Sequence, residues 1–463
     1  MNDARVRRPA RPQPSATRSR TLKAASLAIL LATALPSTAQ TPTLGGELPP
    51  AQPQPYRTLP DAPPAPLAEG FDVARFEYLA EQLVQGQRVP GLAMAIVHNG
   101  RVLSARGYGV TDVSRPEPVD AHTVFRLASL SKAFAGTLAG LLVNDGSLRW
   151  DSKVADYIPG FQLAEPEYAR QVTVTDLLSH RVGLKAHNAF DRDIEVNAEY
   201  YQVAQKLATA PLGCAPGECY AYQNVAFSLI GDVVFATTGN FYEQEVQRRI
   251  FEPLGMYDAS LGLAGIQGAQ RWARPHVRSR NGWAALHPKP TYYRLPPAAG
   301  VNASISDMAQ WLLAHTGHRP DVLPAPLLAT LHAPVVSTPG EMRSGWRRER
   351  VNSASYALGW RVFDYAGEEV VFHAGAVQGY RGLTALLPGR DFGVAILWNS
   401  ESPLPSGLLP TILDQAIGLP AQRWLDVDTD FGSDNLMAGE RAPEAPSRSG
   451  SAASSSVAAP SPH

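Results

Sequence analysis

The sequence predicts an α+β fold of three layers, α/β/α. One antiparallel sheet is formed from both chain ends of the folded part, flanked by helices, with an all-helical subdomain beside it. Three observations carry this. Apolar strand patterns lie near both ends of the folded part, at 91–109 and 370–398. Long apolar helix patterns lie between them. Strand backbone groups need partners, so the two separated strand clusters are expected to pair with each other.

The chain has 463 residues, a formal net charge of -1, 18 % charged residues and 44 % apolar residues. That is a globular composition with length for one large domain or two medium ones. No basic run in the folded part marks a nucleic-acid partner or an anionic membrane surface. Arg5, Arg7, Arg8, Arg18, Arg20 and Lys23 precede an apolar run at 24–35, and Ser37, Thr38 and Ala39 follow it. This is the layout of a signal peptide over 1–39, which predicts export to the periplasm or medium. The rival reading is a transmembrane anchor, but the run of about 12 residues is short of the roughly 20 that span a bilayer. No cysteine follows it, so a lipid anchor has no acceptor, and with so short a run no membrane span is expected after cleavage. Residues 40–69 hold nine prolines and read as an extended linker. Residues 431–463 are rich in Ala, Ser and Pro and read as a disordered tail. The folded domain is expected at 70–430.

Within it, 71–85 is an amphipathic helix pattern. Residues 91–97 and 101–109 are strands about the Asn99-Gly100 hairpin turn. Helices are expected at 128–143, with Gly146 as stop, and at 172–179, 224–237 and 306–315, the last capped by Ser306 with Asp307 in its first turn. Strands follow at 370–373, 382–387 and 393–398, and a closing helix at 410–417. Cys214 and Cys219 are the two cysteines. In an exported chain, a short-loop disulfide between them is favoured over two free thiols. Two cysteines without a nearby histidine pair do not make a metal site.

Three groups of residues carry chemistry. Ser129 opens an apolar helix and Lys132 lies one turn on, on the same face. A serine needs an adjacent base, and a lysine deprived of water can be one. The alternative is a helix cap followed by a surface lysine, an odd place for a charge beside Ala133, Phe134 and Leu138. The second group is Tyr222-Gln223-Asn224. A phenol near an ammonium can move protons, and Asn224 offers donors and an acceptor to a substrate amide; a plain helix cap is the alternative. The third is His373-Ala374-Gly375, expected at the end of a strand. Small residues there would admit a substrate backbone, and the N–H of Ala376 would join that of Ser129 in an oxyanion hole. His315-Thr316-Gly317 has the same shape but follows a helix pattern, so Gly317 is read as a C-cap.

Taken together, Ser129-Leu130-Ser131-Lys132, Tyr222-Gln223-Asn224 and His373-Ala374-Gly375 resemble the three motifs of the class C β-lactamase and D-Ala-D-Ala carboxypeptidase family. Phe125-Arg126-Leu127, Pro253-Leu254-Gly255-Met256, Leu358-Gly359-Trp360 and Gly379-Tyr380-Arg381-Gly382 are similar too. The resemblance covers nearly the whole folded unit and implies the β-lactamase/transpeptidase-like fold. It implies that Ser129 forms an acyl-enzyme, that Lys132 and Tyr222 share the proton work, and that Asn224, His373, Gly375 and Ala376 bind substrate. No cofactor or metal is implied, and a monomer acting on a β-lactam, D-amino-acid peptide or ester is expected. Two departures stand out. His373 replaces the lysine of true class C β-lactamases, and Gln223 fills a slot usually held by Ser or Ala. A partly charged histidine would grip a carboxylate less firmly than lysine. The rival functions are a promiscuous esterase of the same fold and a penicillin-binding protein without turnover. An α/β-hydrolase is disfavoured because no G-x-S-x-G elbow occurs.

Overall fold

The computed structural model describes residues 63–343 and 345–425. The signal segment 1–39, most of the linker 40–69 and the tail 431–463 lie outside the described residues. The last of the linker is held on the domain: Ala65 N donates to Gly389 O (2.8 Å) and Ala68 N to Ala416 O (3.0 Å).

Strands β1 (Gly91–His98) and β2 (Arg101–Gly109) form the predicted hairpin. Asn99 and Gly100 both have positive φ, 47° and 70°, as a two-residue turn between twisted strands requires. The two chain ends do pair. The antiparallel sheet has eight strands, adding β3 (Val336–Ser337), β4 (Val351–Tyr356), β5 (Arg361–Tyr365), β6 (Glu368–Val377), β7 (Tyr380–Leu387) and β8 (Phe392–Trp398), in the order β2-β1-β8-β7-β6-β5-β4-β3. The join runs in register from Leu92 opposite Trp398 to His98 opposite Phe392.

The period of two in β1 creates the layers. Leu92, Met94 and Ile96 pack with Phe76 and Leu83 of helix α1 (Val73–Gln85) and with residues of the closing helix Leu408–Ile417. Ala93, Ala95 and Val97 face the other core, with Phe134 and Leu138 of α2 (Ser131–Asn144). Both faces of the strand are therefore buried, which is why it reads as a continuous apolar run. Beside this sheet lies a helical part that includes Val174–Leu178, Asp191–Glu195, Tyr200–Gln205 and α3 (Val225–Thr238).

Three local expectations need correction. The helix predicted at 306–315 spans Ile305–Leu313 and is capped by Ser304, not Ser306. Ser304 Oγ accepts from Asp307 N, and the Asp307 carboxylate accepts from Ser304 N, a reciprocal cap. His373 does not end its strand. β6 continues to Val377 because Ala374 and Gly375 pair with Leu383 and Gly382 of β7. Ser129 lies in a separate 3-10 turn, Ala128–Leu130, just before α2.

Candidate active site

Ser129 is presented by a turn with a strained residue beside it. Ala128 has φ 50°, a left-handed conformation that costs a non-glycine residue about 1 kcal/mol or more. Neighbouring bonds impose it. Leu127 N donates to Val301 O (2.9 Å), Ser131 Oγ donates to Ala128 O (2.6 Å), and Val301 N donates back to Ser131 Oγ (3.0 Å). Gly375 closes the turn from the sheet side. A Cβ there would stand 2.2 Å from Leu127 O and 3.2 Å from Ser129 N. The third motif thus needs its glycine because the Ser129 turn sits against it.

Lys132 is fully buried, the sequence's odd charge explained. Taking an ammonium out of water costs several kcal/mol, so its polar contacts decide its state. Its amine lies 2.6 Å from Asn224 Oδ1, 3.1 Å from Ala298 O and 3.4 Å from Ser129 Oγ. Burial lowers its pKa well below that of a free lysine, and Arg361 adds to this while Asp191 opposes it. With two hydrogens given to the two carbonyl oxygens, a neutral amine has its lone pair left for the Ser129 proton.

Tyr222 lies beside the same pair. Lys132 Nζ is 4.6 Å from its ring centre, and the Ser129 side chain lies near enough to the phenol to favour its ionised form. Burial pushes the phenol up to about 12, while the nearby Arg361 guanidinium pulls it down. It is therefore a protonated donor at neutral pH. The plain helix cap is ruled out for Asn224: it occupies the N-cap position of α3 but makes no capping bond. Its Nδ2 donates to Asp191 Oδ2 (2.7 Å) and Asn188 Oδ1 (3.2 Å), and its Oδ1 faces Lys132. Both amide hydrogens are already committed within the protein.

His373 is fully buried in β6. Arg361 Nη1 lies 3.3 Å from its Nε2. Arginine has only donors, so Nε2 accepts, both from Arg361 and from the Tyr356 hydroxyl at 3.0 Å. Nδ1 then carries the proton and donates to Ala374 O (2.8 Å). Burial and the Arg361 charge lower its pKa well below the usual histidine value, so the ring is neutral rather than partly charged. The cation in this corner is Arg361 itself, ion-paired to buried Glu341 (3.3 Å), which also accepts from Arg347 (2.5 Å). Ala376 is half-buried on the same strand.

The structure thus brings together Ser129, Lys132, Tyr222 and Asn224, with Gly375 and His373 behind them. Sequence reasoning missed Asp191, Asn188, Ala298 and Arg361. Arg361 had one signal, a lone arginine in an apolar strand directly after Leu358-Gly359-Trp360. Asp191 lies in the polar stretch 185–205, where nothing distinguishes it from other acids. His315, the rejected alternative, is buried away from this cluster and bonds His332 (3.0 Å), and Gly317 has the left-handed φ of 95° expected past a helix. Cys214 and Cys219 form a disulfide in the loop leading to Tyr222. Among the described residues, no cluster of three or more His, Cys, Asp and Glu is arranged to hold a metal. No single described helix is long and apolar enough to cross a membrane.

A serine with a buried lysine one turn on, between an antiparallel sheet and a helical part, defines a serine hydrolase of the β-lactamase fold. The chain belongs to the Beta-lactamase family, whose pattern matches residues 76–418. Penicillin-binding protein 4 of Amycolatopsis lactamdurans is 29% identical over 345 residues, 71% of this chain and 86% of that protein. The unguisins hydrolase ungD of Aspergillus violaceofuscus is 25% identical over 405 residues, 81% of this chain and 70% of that protein. Among solved structures, the octameric penicillin-binding protein homologue from Pyrococcus abyssi has a TM-score of 0.67 at 23% identity. It covers 78% of this chain and 80% of that one, and shows the shared fold.

Proposed function

We propose that the chain is an exported hydrolase that cleaves an amide or ester through an acyl-enzyme on Ser129. The observation that carries this is the Lys132 amine 3.4 Å from Ser129 Oγ, with the Tyr222 ring centre 4.6 Å from the same amine. Lys132 takes the Ser129 proton as Oγ bonds to the acyl carbon. The Tyr222 hydroxyl gives its proton to the departing nitrogen or oxygen and recovers one by way of Lys132. The N–H groups of Ser129 and Ala376 hold the oxyanion, and water then releases the acyl group with help from Tyr222. Asn224, His373 and Gly375 shape the substrate side of this site. The names of the relatives, a penicillin-binding protein and a hydrolase of unguisins, favour a β-lactam or peptide as acyl donor. One observation favours the esterase reading: His373 is neutral and both its ring nitrogens are engaged, so it offers no charge to a substrate carboxylate. The disulfide suits the oxidising compartment that export implies. The chain acts as a monomer in this proposal, which light scattering distinguishes from an assembly.

Intact-mass analysis after exposure to a penicillin, a D-Ala-D-Ala peptide and a short-chain ester tests the reading. One acyl adduct is expected on the wild type and none on Ser129→Ala. An adduct that persists on Ser129→Ala sinks Ser129 as nucleophile.

A further inference from the structure

Asn224 is held from behind by a bent loop. Asn188 and Phe190 both have positive φ, 52° and 67°, an uncommon and costly choice for residues other than glycine. That backbone delivers Asn188 Oδ1 and Asp191 Oδ2 to the two hydrogens of the Asn224 amide, at 3.2 and 2.7 Å. The amide oxygen faces Lys132 at 2.6 Å. An amide gripped on both sides keeps one orientation, so the three groups form a fixed line from carboxylate to amine. Asp191 is 3% exposed, and its Oδ1 has no hydrogen-bond partner among the described residues. A buried carboxylate so poorly paired costs stability unless a cation answers it. The cation that acts on it is Lys132.

We propose that Asp191 is a positioning residue for the catalytic lysine: acting through Asn224, its carboxylate aims the Lys132 amine at Ser129 and sets how readily that amine gives up its proton. This rests on the reading of Ser129 and Lys132 as the acylating pair. The groups facing Asp191 are Glu195 on its own short helix, Tyr292 across from it, whose hydroxyl donates to Glu195 (2.9 Å) and to Asp191 Oδ2 (3.3 Å), and Lys132 beyond Asn224. Arg361 faces Lys132 from the sheet and opposes the carboxylate's effect. Burial pushes Asp191 up to about 7 and Lys132 down, so the two groups titrate toward one another. At an effective dielectric near 20, a carboxylate one amide away moves an ammonium's titration by about one to two units.

Asp191→Asn keeps an acceptor for the amide and removes the charge. The test measures the rate of acylation by a fluorescent penicillin and by a chromogenic ester across pH, with Asp191→Glu and Ser129→Ala alongside. Without the anion the ammonium loses its proton sooner. The limb of the profile governed by Lys132 should therefore move to lower pH by about one unit or more. Asp191→Glu should keep that limb near its wild-type pH, with a lower plateau from the displaced carboxylate. A uniform fall in Asp191→Asn with no shifted limb, or an unchanged profile, overturns the inference, as does a Glu variant whose limb shifts as far as the Asn variant's. The Glu variant decides the matter if the Asn variant does not fold. Acylation that survives Ser129→Ala overturns the reading of the nucleophile, and this inference with it. Acylation lost in Ser129→Ala with an unmoved limb in Asp191→Asn overturns this inference alone.

Discussion

Tyr222 shows how one side chain acquires a role from its neighbours. In water a phenol and a lysine amine near neutral pH are a weak acid and a protonated base. Here burial raises the phenol to about 12 and lowers the lysine, which brings the free-base form of Lys132 within reach and keeps Tyr222 as donor. Tyr222→Phe removes the donor but keeps the ring against Lys132. Acylation by a chromogenic ester should slow by about 10²-fold or more, with thermal unfolding little changed. An unchanged rate would take the phenol out of the mechanism. The Ser129-Lys132 pair was legible because a lysine inside an apolar helix face has few explanations. Asp191 was not, because its partners come from residues 33 and 101 positions along the chain.

At the scale of elements, the site is set by how closely the Ser129 turn approaches β6 and the strand Val301–Ala303. Gly375 is the point of contact, and its missing Cβ is what the approach needs. Gly359 plays the same part on the far side of α2: its φ is 83°, and a Cβ there would stand 2.3 Å from Lys132 O. Gly375→Ala should cost about 1–3 kcal/mol in thermal or urea unfolding, because backbone rather than a flexible side chain must give way. It should also slow acylation by moving Ser129. Normal stability and normal acylation in that variant would contradict the close approach. The hairpin at 91–109 was readable to within one residue because its turn chemistry is local. The continuation of β6 past His373 was not, since pairing with β7 decides it.

At the scale of the molecule, burial of titratable groups fixes the response to acid. His180, His315 and His373 are all pushed well below their usual value, mainly by burial. Below about pH 6.5 the unfolded chain binds protons at these positions that the folded chain refuses, so stability falls as pH falls. Asp191 and Asp307, raised to about 7 and about 6, act the opposite way, since the folded state holds their protons first. The three histidines outweigh the two carboxyls. The melting temperature should drop as pH is lowered from about 6.5 to about 5, each net proton contributing about 1.4 kcal/mol per pH unit. A flat or rising melting temperature over that range would contradict this balance.

What the sequence by itself determined is the set of elements whose signals are local. These are the period-two strands at both ends, the apolar helices between them, and a serine-lysine spacing of three that brings the two side chains together. Only the tertiary structure decided the rest. It made Ser129 part of a strained turn, gave Gly375 a packing reason, turned His373 into a neutral acceptor for Arg361, and set Asp191 behind Asn224. The physical reason is common to all four. Each depends on contacts between residues far apart in the chain and on the loss of water around buried charge, and neither is written in the spacing of any one motif.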